Sequence, residues 1–110
     1  AGDQIDLTVQ PAKVEQKKNG QPIQSFELHQ NYPNPFNANT TIGFSLPGAS
    51  FVTLKIFNFL GEEVATLVSK KLSAGAYRYP WNAQEFASGI YMYQIEADGI
   101  VQSRKLILLR

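Results

Sequence analysis

Ile42, Phe44 and Leu46 alternate with Thr41, Gly43 and Ser45, and Pro47-Gly48 ends the run. A two-residue period of this kind puts apolar side chains on one face of a β-strand and polar ones on the other. The same pattern recurs along the chain. Val52, Leu54 and Ile56 alternate with Thr53 and Lys55, and Val64 to Val68 predicts a third strand. Tyr77, Tyr79 and Trp81 share one face of a fourth, opposite Arg78. Ile90 to Ala97 predicts a fifth. Its Ile90–Met92 side ends in Gln94 and Glu96, so Tyr91, Tyr93 and Ile95 are assigned to the core. Ile100 to Leu109 returns as the last strand. Its end, Leu106-Ile107-Leu108-Leu109, is apolar on both faces, which requires cover on both sides or a partner at the edge.

Turn residues separate these runs. Gly61 in Asn58-Phe-Leu-Gly-Glu-Glu63 is free to take positive φ. Lys70-Lys71 and Ser73-Ala74-Gly75 read as a solvated turn, and residues 82–89 as a longer connection with room for one helical turn. Asp98-Gly99 is the strongest hairpin signal, because a type I′ turn needs positive φ at both positions. No helix of useful length is visible. The expected fold is all-β: an Ig-like antiparallel β-sandwich of about seven strands. It should begin near Phe26. Residues 1–25 are polar, with an Asn19-Gly20 turn signal, and read as linker. Within them Ile5, Leu7 and Val9 alternate with polar residues, so an additional edge strand, or the tail of a preceding domain, stays open.

Composition narrows the classes. A chain of 110 residues supports one small core, and 44% apolar with 17% charged residues suits a folded domain. The net charge of +1 gives no field that would favour nucleic acid. No apolar run is long enough for a membrane span, and Ala1-Gly2-Asp3-Gln4 has neither the basic nor the apolar part of a signal peptide. The sequence can still be a piece of a larger exported protein. There is no cysteine, which leans away from small secreted eukaryotic domains and fits a bacterial one.

Catalytic constellations are missing. His29 is the sole histidine, and no Gly-x-Ser-x-Gly elbow surrounds any serine. One imidazole without thiols cannot build a zinc or iron site, so no metal or cofactor is expected. Calcium could use asparagine and backbone oxygens, but residues 31–39 hold no carboxylate. Glu62-Glu63 sit beside a turn, where solvated charge is the ordinary reading. Asn39-Thr40-Thr41 is formally a glycosylation sequon without a eukaryotic context. Tyr77, Tyr79, Trp81, Tyr91 and Tyr93 either fill the core or form a sugar-stacking platform. Alternation with Arg78 and Gln94 favours the core. Trp81, at a strand end, is expected to be the most exposed and is the glycan contact under the rival reading.

The segment Asn31-Tyr-Pro-Asn-Pro-Phe-Asn-Ala-Asn39 is unusual. Pro33 and Pro35 fix φ and remove two donors, so it cannot be a central strand. Tyr32 and Asn34 precede prolines and are pushed to extended geometry. Asn31, Asn34, Asn37 and Asn39 can bond neighbouring backbone, and Tyr32 and Phe36 can pin the loop to one end of the sandwich.

These blocks together resemble the C-terminal sorting domain of the type IX (Por) secretion system, from about Phe26 to Arg110. Gln30 to Asn37 matches its Gln-Asn-Tyr-Pro-Asn-Pro-Phe-Asn block. Gly61, Ala74 to Trp81, Phe86 to Tyr93 and Lys105 to Leu109 match the others. Ala38 stands where many members have proline, which should loosen the loop slightly. The resemblance implies a non-enzymatic Ig-like sandwich that directs an exported bacterial cargo across the outer membrane, for release or surface attachment. It also implies a cargo domain linked ahead of it, a precursor that closes at Arg110, and translocon and shuttle components as partners. A monomer that passes the periplasm and reaches the cell surface is expected. We assign recognition to Arg104, Lys105, Leu106, Ile107, Leu108, Leu109 and Arg110, with Asn31, Tyr32, Pro33, Asn34, Pro35, Phe36 and Asn37 as the family-motif loop. The rival class is an accessory carbohydrate-binding or adhesion module of an extracellular enzyme.

Overall fold

The computed structural model describes residues 25–110, together with the strand backbone at Lys17–Lys18 and Gln21–Pro22. The Ile5–Val9 alternation lies outside the described residues. Strands β1 (Lys17–Lys18) and β2 (Gln21–Pro22) form a short antiparallel ladder on either side of Asn19-Gly20. Seven further strands make the sandwich. They are β3 (Glu27–Leu28), β4 (Asn39–Leu46), β5 (Ser50–Phe57), β6 (Glu63–Leu72), β7 (Gly75–Asn82), β8 (Gly89–Ala97) and β9 (Ile100–Leu108). One sheet has the order β3-β4-β7 and the other β6-β5-β8-β9. All their ladders are antiparallel. This is the Ig-like sandwich expected from the strand periods.

Alternation places the core as predicted. Along the β4–β7 ladder Ile42 pairs with Tyr79 and Phe44 with Tyr77, and with Leu46 and Trp81 on the same face all six are buried. Val52, Leu54, Ile56, Tyr91, Tyr93 and Ile95 line the facing sheet. Phe44 stacks on Tyr77 and Tyr79, with centroids 5.4 and 5.9 Å away. Full burial of such side chains contributes about 1.5–3 kcal/mol each, which makes this double layer the main source of stability.

Three local readings change. Lys70 and Lys71 do not lie in a turn, because β6 runs through them to Leu72. Pairing with Val52 and Phe51 continues there, so the ladder overrides the weak local signal. Residues 82–89 hold no helical turn. A single reverse turn stands in its place, in which Phe86 N donates to Ala83 O at 3.0 Å. Trp81 is not exposed; it is 4% accessible. Asp98 (φ 52°) and Gly99 (φ 80°) do form the expected left-handed pair, and Gly61 has φ 85°.

Candidate functional site

The 31–37 loop is organised by one buried side chain. Asn31 donates through Nδ2 to Thr40 Oγ1 (3.0 Å) and to Pro33 O (3.1 Å), and accepts from Gln30 Nε2 (2.6 Å). Thr40 Oγ1 donates to Pro33 O in turn, at 2.9 Å. Buried polar groups persist when satisfied in this way. The Tyr32–Pro33 and Asn34–Pro35 peptide bonds are both cis. Tyr32 exchanges two backbone bonds with Thr41, but its ring is 81% exposed. Only Phe36 pins the loop, with its ring buried 5.9 Å from that of Trp81. The joint anchoring expected of Tyr32 and Phe36 therefore holds for Phe36 alone. Ala38 adopts φ 74°, and its carbonyl accepts from Ala83 N at 2.6 Å. Proline fixes φ near −65°, so this corner takes a backbone that proline cannot reach, rather than a looser version of the same one.

The loop lies along the outer edge of the last strand. Gln30 Nε2 donates to Lys105 O (2.9 Å), and Ile107 N donates to Asn34 Oδ1 (3.0 Å). Phe36 N donates to Ile107 O (2.9 Å), and Leu109 N donates to Phe36 O (2.8 Å). The motif loop and the terminal strand, treated separately in the sequence, form one rim. Asn34 bonds residue 107, not its own neighbours as an Asx turn would. Nothing local announces this contact, since its partners lie 73 positions apart.

Within that rim the terminal residues divide by face. Leu106 and Leu108 are buried, opposite Tyr91 and Gly89. Lys105 and Leu109 are exposed and Ile107 is half-buried, on the outer row. Arg104 Nε donates to Leu28 O at 2.8 Å, tying β9 to the opposite sheet. Arg110 is folded back. Its guanidinium donates to the carbonyls of Ala83, Gln84 and Phe86, and its backbone N to Ser88 Oγ at 2.9 Å. The run that looked apolar on both faces is thus half core, half surface.

Beside the outer row a groove of about 280 Å³ opens beneath the β5–β6 hairpin, lined by Phe59, Ile90, Met92 and Lys105 among others. Phe59, Ile90 and Met92 are all exposed large apolar side chains. The hairpin is held by Asn58, whose Oδ1 accepts from Leu60 N (2.9 Å) and Glu62 N (3.0 Å). Glu62 accepts from Asn58 Nδ2 at 2.7 Å. A hydrogen bond from Thr66 and the nearby Lys55 ammonium hold the Glu63 carboxyl below its usual range. Both glutamates are exposed, as solvated charge requires; Glu62 serves the turn, and Glu63 opens β6. His29 is partly exposed, with Nε2 3.8 Å from Glu27 Oε1.

The sugar platform is ruled out by burial. Tyr77, Tyr79, Trp81, Tyr91 and Tyr93 are all core residues, the most exposed at 7%. The proposed glycan contact Trp81 is enclosed by Phe36, Phe86 and Tyr91. Pairing along β4 carries the strand through Trp81 to Asn82, and Phe86 folds over its end. Among the described residues no group of three or more His, Asp or Glu could hold a metal, and no helix is long and apolar enough to cross a membrane.

Tyr93 is strongly shifted. Its hydroxyl donates to His29 O at 2.5 Å. Burial pushes its pKa up to about 12, against a backbone hydrogen bond from Asn31 and the Arg104 charge. A raised phenol favours the neutral form in the fold. Its stabilisation is therefore complete below pH about 10, the unfolded value, and is lost as pH rises towards about 12. The difference in stability between wild type and Tyr93→Phe, measured by urea unfolding, should be constant to pH 9 and shrink above it. A constant difference through pH 12 would contradict this.

The fold and the rim define a class: an antiparallel β-sandwich whose family-motif loop is stitched to its last strand. The family model described as "Secretion system C-terminal sorting domain" matches residues 30–109. The chain belongs to this family, and as such is a sorting signal of type IX secretion, a family of signals and not of enzymes. The fold is similar to part of PorZ, described as an essential bacterial surface component of the type-IX secretion system of human oral-microbiomic Porphyromonas gingivalis. The TM-score is 0.56 at 20% identity, over 76% of this chain and 11% of that one. The chain thus spans about a tenth of that protein's length. No significant match was found among curated proteins.

Proposed function

We propose that the domain carries an attached, N-terminally placed cargo through the outer membrane, to the cell surface or beyond, by presenting the outer row of its last strand to the translocon and its shuttle components. It acts as a monomer, without catalysis, and reaches the translocon from the periplasm. The observation that supports this is the division of the terminal segment. Leu106 and Leu108 anchor it in the core, while Lys105, Ile107 and Leu109 face outwards beside the Phe59–Ile90–Met92 groove. An apolar patch rimmed by charge is the ordinary form of a protein docking surface. Of the seven residues first assigned to recognition, the full or partial exposure of these three and of Arg104 supports a role in contact with the partner. Leu106 and Leu108 act from within, and Arg110 braces the 83–86 turn.

The test is a triple substitution, Lys105→Ala, Ile107→Ser and Leu109→Ser, in the full chain fused to a secreted reporter. The domain should still fold, with a thermal midpoint lowered by no more than about 5 °C, equivalent to roughly 1 kcal/mol. The reporter should stay in the periplasm. Normal export of the folded triple variant would overturn the assignment.

A further inference from the structure

We infer that the first half of β9 accepts an extended strand of a partner protein, one that places a carboxylate beside Lys105. The inference rests on the sorting reading and names the partner chemistry of the same strand. It starts from the backbone. Ile107 directs N–H and C=O away from β8, towards Asn34 and Phe36. The β8–β9 register runs unbroken from Gly89↔Leu108 to Ala97↔Ile100. By the two-residue period of a strand, Val101, Ser103 and Lys105 direct theirs the same way. The loop covers this edge only from Lys105 O onward. Among the described residues no strand pairs beyond β9, so the outward groups of Val101 and Ser103 form a short open ladder.

The other edges are defended. In β7, Trp81, Tyr79 and Tyr77 sit opposite Thr40, Ile42 and Phe44. The loop takes Thr41 N and O from the far side, so Pro80 falls among the outward positions of β7. It offers no donor there. The β5–β6 ladder has two register shifts, and β6 carries exposed Glu63, Lys70 and Lys71. Strand β3 is two residues long, and Arg104 occupies Leu28 O. Bulges, charges, proline and short strands are the means by which sheet edges are closed to pairing.

Residues 100–103 have none of these. Ile100, Val101, Gln102 and Ser103 are uncharged and all exposed, with Ile100 at 44% and Val101 at 53%. An added strand would gain backbone bonds and cover both apolar side chains, the mode known as β-augmentation. Lys105 follows on the face that Val101 and Ser103 share and sets the charge preference. A carboxylate there is favoured and a second basic segment is not.

The test replaces Ser103 by proline, and separately Val101 by proline, in the full chain fused to a secreted reporter. Each removes one outward donor and no donor used within the sandwich. Circular dichroism and the thermal midpoint should match wild type. Export should fall roughly tenfold, the scale expected for a lost interfacial hydrogen bond and the clash of the ring, while Ser103→Ala exports normally. Normal export by a folded Ser103→Pro overturns the inference and leaves the sorting reading intact. Failure of the wild-type fusion to be exported overturns the sorting reading instead. If both proline variants unfold, those amides are used inside the domain and the inference falls. A wild-type domain that sediments as a dimer, and a Ser103→Pro that does not, would make the occupant a second copy and overturn the choice of partner.

Discussion

Trp81→Ala should remove about 3–5 kcal/mol of stability, the usual range for truncating a buried tryptophan. Small domains have roughly 5–15 kcal/mol in total, so a large part of the margin disappears. The geometry explains the size. Trp81 is 4% exposed, and its ring lies 5.4 to 5.9 Å from those of Phe86, Tyr91 and Phe36. Phe36 is the anchor of the motif loop, so the cavity would loosen the loop and, through it, the end of β9. Urea unfolding checks this. The midpoint should fall steeply in Trp81→Ala and by less in Trp81→Phe. A midpoint equal to wild type would contradict the core assignment and restore an exposed role for this ring.

Deletion of residues 105–110 should abolish cooperative unfolding altogether. Two buried leucines go, Leu106 and Leu108, each equivalent to about 2–5 kcal/mol when truncated in a core. The backbone partners of Phe36 go with them, as does the Arg110 contact with the 83–86 carbonyls. Loss of export in such a truncation would therefore report unfolding rather than lost recognition. The outer-row substitutions separate the two, because they leave Leu106 and Leu108 in place. A truncated domain that still melts in one sharp transition would show that β9 contributes less to the fold than its burial indicates.

The strands were legible because each carries its own two-residue period, and the Asp98-Gly99 turn because its backbone needs are strict. Burial of Tyr91, Tyr93 and Ile95 followed from one comparison of faces along β8. Trp81 was misjudged because a strand end looks open in sequence; the neighbours that cover it, Phe36 and Phe86, lie outside its strand. Lys70 and Lys71 were misplaced because an edge strand tolerates charge as readily as a turn does. The rim itself was half legible. Both of its parts stood out, one by prolines and asparagines, the other by its two-faced apolar run. Their union did not, since it rests on bonds from Gln30 to residue 105 and Asn34 to residue 107. Such pairings leave no periodic trace.

That stitch also sets an order of events. Gln30 and Lys105 are 75 positions apart, and Arg104 meets Leu28 across 76. Contacts of such separation carry a large closure cost, because the whole intervening chain must be gathered first. Until the residues around Leu109 are available, the motif loop has no edge to lie on and Phe36 lacks its backbone partners. The domain therefore completes itself only when nearly all of it is present. A chain emerging piecemeal, from a ribosome or through a membrane pore, would lack this stitch until that moment.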